Sequence, residues 1–194
     1  GVIKQSNKVK IDAFADLFSD SSKIKLKKII KHHKENQGLS RYDKIPLYYK
    51  IAYGKNITIV NKKKMLNKFS KIVVKNVIRS KWSEGVKNYL SQNKYKQIFY
   101  IATATPTKEI IYILNKLKIK FFFHGIYGSP MSKEKILKKI KNFKHIKYKD
   151  IAFIGDSYND FMSAKKNNIK FIYKQNSYII PKDIKPHQII KKFN

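Results

Sequence analysis

The sequence predicts an α/β protein, a doubly wound parallel sheet preceded by a helical module, and three observations lead there. From Val86 onward, short apolar runs alternate with amphipathic stretches of helical period, the order that a parallel sheet requires. Residues 13–80 show helical periodicity and no strand-like run. With 42% hydrophobic residues and only 7 Gly and 5 Pro in 194, the chain has the apolar content of one globular domain, or of one with a modest insertion.

The elements follow in order. In the first part Phe14, Leu17 and Phe18, then Leu26, Ile29, Ile30 and His33, then Met65, Phe69, Ile72, Val73 and Val77 recur at helical spacing. Gln37-Gly38 and Tyr53-Gly54 punctuate them as turns, and Trp82 and the Tyr-rich stretch 47–53 read as core. In the second part residues 97–103 read as a buried strand and 107–117 as a helix with Ile110, Ile111, Ile113, Leu114 and Leu117 on its apolar side. Residues 121–126 form the next strand, and Ser132 caps a helix through Phe143 with Glu134 in its first turn. Residues 150–155 are a third strand, 158–167 a third helix and 170–173 a fourth strand.

Composition removes several function classes. The chain has no Cys, which excludes disulfides, thiolate metal sites and a cysteine nucleophile. Its longest apolar runs fall far short of the roughly 20 residues that span a bilayer, and the N-terminus lacks a signal-peptide core. A cytoplasmic protein with no membrane partner is expected, as a monomer or homodimer. The net charge of +32 suggests nucleic acid, but 42 of the 44 basic residues are Lys and only Arg41 and Arg79 are Arg. Lys, Ile, Asn, Tyr and Phe have AT-rich codons, so genome composition accounts for most of this. The lysines are also spread through every segment, and base-reading Arg is scarce, which makes nucleic acid an unlikely partner.

In an open parallel sheet, ligands bind beyond the carboxyl ends of the strands. There the first strand ends in Thr103-Ala104-Thr105-Pro106, a hydroxyl and free N–H groups able to hold an anion, although Thr103 serves equally as a helix cap. The second is followed by Gly128-Ser129-Pro130-Met131-Ser132-Lys133, which brings an ammonium to a helix start or merely a solvated surface charge. The third ends in Gly155-Asp156-Ser157-Tyr158-Asn159-Asp160, with two carboxylates four residues apart. A hydroxyl, an ammonium and paired acids at one edge suit phosphoryl transfer to water. Thr and Lys would hold phosphate oxygens and the acids Mg2+, which takes few protein carboxylates.

The series Thr103, Lys133 and Ile151-Ala152-Phe153-Ile154-Gly155-Asp156-Ser157-Tyr158-Asn159-Asp160 resembles motifs two, three and four of the haloacid dehalogenase-like (HAD) superfamily, mostly Mg2+-dependent phosphatases. That family's first motif is a strand ending in Asp-x-Asp followed by Gly-Val or Gly-Thr, and this chain opens Gly1-Val2-Ile3. The resemblance therefore implies a Rossmann-like core (1–12 and 81–194) whose first strand and Asp-x-Asp lie just before Gly1. It also implies a helical cap over 13–80, inserted after that strand.

By resemblance, Thr103 and the N–H of Ala104 bind the transferring phosphoryl group, and Lys133 neutralises it, with Lys135 as the alternative. Asp156 ligates Mg2+, and Asp160 supports the metal or Lys133. The cap segment 33–44 resembles a loop of relatives of phosphoglycolate phosphatase and β-phosphoglucomutase, which makes His33, Arg41 and Lys44 substrate-binding candidates. Arg41 has the alternative of a surface pair with Asp43 or Glu35, and His33 of helix packing. The implied function is a Mg2+-dependent phosphatase for a small phosphorylated metabolite, a sugar phosphate or phosphoglycolate-like acid, acting through an aspartyl-phosphate. The alternatives are a phosphosugar mutase of the same fold and a noncatalytic basic protein that binds nucleic acid or other anions.

Overall fold

A computed structural model describes residues 1–143, 146–176 and 183–194. Its first part is four helices, α1 (Asn7–Leu17), α2 (Lys23–Glu35), α3 (Arg41–Tyr53) and α4 (Ile59–Arg79). Ser22, Ser40 and Thr58 each accept a backbone N–H two or three residues ahead, which satisfies donors that the first turns of α2, α3 and α4 leave orphaned. Gly54 ends α3 at φ +72, a left-handed conformation that costs glycine little. The apolar faces meet in one cluster in which Phe14, Phe18, Ile29, Ile45, Tyr48, Phe69 and Val73 are buried, with the Phe14 and Phe69 rings 4.4 Å apart. Helix α1 starts at Asn7, earlier than the periodicity that begins near residue 13, because its first turn carries polar residues on a partly exposed face.

The second part holds α5 (Val86–Gln92), β1 (Phe99–Pro106), α6 (Thr107–Lys116), β2 (Phe123–Ser129), α7 (Lys133–Lys141), β3 (Ala152–Gly155), α8 (Tyr158–Lys166), β4 (Lys170–Lys174) and β5 (Gln188–Ile190). Every strand pair is parallel: Ile101 faces Ile126 across β1–β2, Phe153 faces Phe171 across β3–β4, and Tyr173 faces Ile189 across β4–β5. The expected α/β class with parallel strands is thus observed. The boundaries move, however. Strand β1 runs on to Pro106, a 3-10 turn at Lys120–Phe122 delays β2, and Asp150 lies in another 3-10 turn (Tyr148–Asp150) ahead of β3. Strand β5 went unseen because three residues carry too little periodicity.

The expected single sheet falls into two, β1–β2 and β3–β4–β5. Among the described residues β1 pairs only with β2, and β3 with β4, so each keeps one edge of unpaired backbone groups. Between them lies a cavity of about 630 Å3, lined by Tyr100, Ala102 and Thr103 of β1, by Phe153 and Ile154 of β3, and by Phe14 and Phe69 of the helical unit. Its polar end reaches Asp156, Asp160 and Lys133.

Candidate active site

The polar end of the cavity is built by three turns that each follow a strand. After β3, Gly155 lets the chain fold tightly: a Cβ there would lie 2.3 Å from that of Asp160. The side chain of Asp160 therefore folds back over the strand end. Ser157 caps α8, taking the Asp160 N–H and returning its hydroxyl to Asp160 Oδ2 at 2.6 Å, a reciprocal capping box. Asp160 Oδ2 also accepts the N–H groups of Asp156 and Ser157, at 3.3 and 3.2 Å.

Its other oxygen, Oδ1, receives Lys133 Nζ at 2.6 Å. Lys133 is the first residue of α7, which Ser132 caps, while Lys135 two residues on is exposed. The structure thus selects Lys133 over Lys135. Both oxygens of Asp160 are thus engaged by protein donors, and one of them orients the Lys133 ammonium. Of the two roles the resemblance allowed, the contact present in this structure is the one with Lys133.

Asp156 Oδ2 accepts the carboxamides of Asn7 at 2.9 Å and Asn176 at 3.3 Å, and lies 2.9 Å from the Gly1 nitrogen. Burial raises its pKa, while the Asn7 hydrogen bond and the Lys10 charge act against burial and favour the carboxylate. Its Oδ1 has no partner among the described residues. A carboxylate with an open oxygen is a fit donor for Mg2+, which fills its remaining positions with waters and substrate oxygens. No group of three or more His, Asp or Glu gathers at a metal-sized site among the described residues.

Thr103 sits in β1, its Oγ1 accepting the Thr105 N–H at 3.2 Å, and Ala104 follows with its carbonyl bound by Ser129 Oγ at 2.6 Å. That cross-link needs Gly128: a Cβ there would lie 2.1 Å from the Thr105 carbonyl oxygen. Thr103, Ala104, Lys133 and Asp156 all line the one cavity.

The three candidates of the helical unit separate. His33 and Lys44 meet on its wall, Lys44 Nζ 3.0 Å from His33 Nδ1, both buried. Burial and the neighbouring Lys44 push His33 down to about 3, so the imidazole is neutral and accepts; burial and Lys10 push Lys44 down to about 7. Arg41 has a different task. Its Nη1 lies 2.9 Å from Glu109 Oε2 and donates to Ser70 Oγ at 2.8 Å, over the Phe69 ring. It pairs with neither Asp43 nor Glu35, but ties α3 and α4 to α6, the helix that follows Thr103.

Sequence reasoning passed over Lys10, which lines the cavity, and Asn7 and Asn176, which hold Asp156. None belongs to a motif, and no spacing signals them. The expected turn at Gln37-Gly38 meets α8, a contact that no local pattern signals. There Asn159 Nδ2 donates to the Gln37 carbonyl at 2.7 Å, and Gly38, at φ +92, lies so close to α8 that a Cβ would be 2.7 Å from Ser157 Oγ.

Residues 2–174 match the haloacid dehalogenase-like hydrolase family. Among solved structures, a predicted phosphoglycolate phosphatase from Haemophilus somnus is 20% identical, with a TM-score of 0.76 over 98% of this chain and 89% of that one. A β-phosphoglucomutase from Clostridium difficile is 16% identical, with a TM-score of 0.75 over 99% and 87%. A HAD hydrolase from Bacillus subtilis described as bound to magnesium is 14% identical, with a TM-score of 0.70 over 98% and 90%. No match was found among curated protein sequences. With the family match covering most of its length, the chain belongs to the haloacid dehalogenase-like hydrolases.

Proposed function

We propose that this hydrolase is a Mg2+-dependent phosphatase acting on a small phosphorylated metabolite, a sugar phosphate or a phosphoglycolate-like acid. The observation that carries it is the Asp160–Lys133 pair set with Asp156 and Thr103 on one cavity. In this reading the Thr103 hydroxyl and the Ala104 N–H donate to the phosphoryl oxygens, and Lys133, aimed by Asp160, neutralises them. Asp156 would hold Mg2+, which when bound supplies charge neutralisation for the transferring group.

Helices α1–α4 are the cap, a role supported by their own core and by the Gly38 loop seated on α8. Closed there, the cap keeps bulk water from the reacting groups. In this reading an Asp nucleophile forms the aspartyl-phosphate and a second Asp serves as its acid/base.

The test is hydrolysis of p-nitrophenyl phosphate by the full-length gene product, with and without Mg2+. Metal-dependent turnover that Asp156→Ala lowers by about 100-fold or more is expected, a size typical of losing one preorganised charged group. No turnover, or turnover indifferent to that substitution, overturns the proposal. Phosphate release, against isomerised sugar phosphate, separates phosphatase from mutase.

A further inference from the structure

Lys174, the last residue of β4, is 4% exposed, yet no carboxylate pairs with it among the described residues. Its ammonium donates to three oxygens instead: the Lys191 carbonyl at 2.7 Å, the Gln175 carbonyl at 3.2 Å and Asn176 Oδ1 at 3.4 Å. An ammonium has three donors and no acceptor, so the group is fully spent on this cage. Burial lowers its pKa, while the charges of Asp156 and Glu84 act against that and favour the ammonium.

Two of these contacts brace strand ends, since Lys191 directly follows β5. An apolar side chain of similar volume would fill the same space without burying a charge. The third contact does what an apolar side chain cannot, because it orients an amide. Lys174 can only donate, so it faces Asn176 Oδ1 and turns the amide nitrogen the other way. That nitrogen donates to Asp156 Oδ2 at 3.3 Å and to the Gly1 carbonyl at 3.2 Å. Reversed, the amide would set an oxygen against the carboxylate, and a hydrogen bond would become a repulsion. Asn176 is exposed, so water offers its amide other orientations, which Lys174 disfavours.

We propose that Lys174 is a positioning residue for the metal site: through the Asn176 amide it holds Asp156 Oδ2 in place and so keeps Oδ1 turned toward the ion. The inference rests on the reading of Asp156 as the Mg2+ carboxylate. Loss of such an outer partner weakens metal binding by about 10- to 100-fold where it is the main support of a ligand. Asn7 still holds Oδ2 here, so a smaller loss of about fivefold is expected.

The probe is Mn2+, which takes the same oxygen donors as Mg2+, titrated into the full-length protein and read by electron paramagnetic resonance. Asp156→Ala should abolish binding, and Lys174→Met and Asn176→Ala should each weaken it about fivefold. Joined in one chain, the two should weaken it no more than Asn176→Ala alone, because Lys174 acts through that amide. A lysine that merely braced the strand ends would add its loss in both backgrounds, and removal of its positive charge by itself would tighten binding. Circular dichroism and the urea midpoint check folding. Should Lys174→Met not fold, Lys174→Gln is read in the same two backgrounds against the same limits: it is one bond too short to span to Asn176, but its carboxamide can still donate to a strand-end carbonyl.

A weakening below about twofold for the Lys174 variant, or a double variant that loses the product of the two single effects, overturns the relay. No Mn2+ binding, or binding indifferent to Asp156→Ala, overturns the reading of Asp156 and the relay with it. Binding that needs Asp156 but not Lys174 overturns the relay alone.

Discussion

Glu109→Ala is the sharpest probe of how the helical unit is held to the sheet. Glu109 accepts Arg41 Nη1 at 3.1 Å on Oε1 and lies 2.9 Å from it on Oε2, and it accepts Ser70 Oγ at 2.5 Å. The Arg41 side chain is 6% exposed and its guanidinium lies 4.8 Å from the Phe69 ring centre. Removing the carboxylate strands that guanidinium with one hydroxyl as company, and breaking a buried pair from one side costs about 3–5 kcal/mol. Because Glu109 is 20% exposed, water recovers part of this, which places the expected cost near the lower bound, about 3 kcal/mol. The double substitution Arg41→Met with Glu109→Leu removes both desolvation penalties and should be more stable than Glu109→Ala alone. Urea unfolding at constant m reads both differences. A loss below about 1 kcal/mol for Glu109→Ala, the size of an exposed pair, would refute the reasoning, as would a double variant that costs the sum of the two single ones.

Further outcomes follow from local geometry. Lys44 loses its proton near pH 7 when folded and near its ordinary 10.5 when unfolded. The unfolded chain therefore binds more protons between those values, and stability should rise with pH from about 7 to 10.5, by at most about 1.4 kcal/mol per pH unit. Lys44→Met should flatten that rise in thermal unfolding between pH 7 and pH 9.5, and an unchanged slope would contradict the shift. His33, at about 3 when folded against 6.5, adds a separate fall in stability as pH drops from 6.5 toward 3. Gly38→Ala forces a side chain into φ +92 and against Ser157, so a loss of about 1–3 kcal/mol is expected in urea, together with weaker phosphate binding. An undiminished midpoint would show that the loop does not seat on α8. Ser157→Ala removes the cap of α8 and should cost about 1 kcal/mol.

What was legible in the sequence follows physical range. Thr103, Lys133 and Asp156 could be placed at strand ends because each closely follows an apolar run, and a period of two or 3.6 is a local property. Glu109 could not be matched to Arg41, 68 residues away, since no local pattern records which helix faces which. The same holds for Asn7 and Asn176, which reach Asp156 from 149 and 20 residues off. The role of Asp160 shows a finer limit. Its spacing from Asp156 is the same whether it meets a metal or turns to Lys133, and the Ser157 capping box, which fills Oδ2 with backbone and hydroxyl donors, is visible only in the structure.

The acids explain why the chain's large positive charge misleads. Of 12 acidic residues, all but Glu109, Asp156 and Asp160 are exposed. Glu109 pairs with Arg41 and Asp160 with Lys133, both cations that line the cavity, and Asp156 accepts the carboxamides of Asn7 and Asn176. A carboxylate leaves water only where a positive partner or hydrogen-bond donors offset its desolvation, so the scarce acids mark where the protein has organised charge. Surface lysines carry no such information, because solvent satisfies them wherever they fall. The cationic excess that does matter is therefore small and local. It consists of cations inside the cavity, where Glu109 fixes Arg41 and Asp160 fixes Lys133.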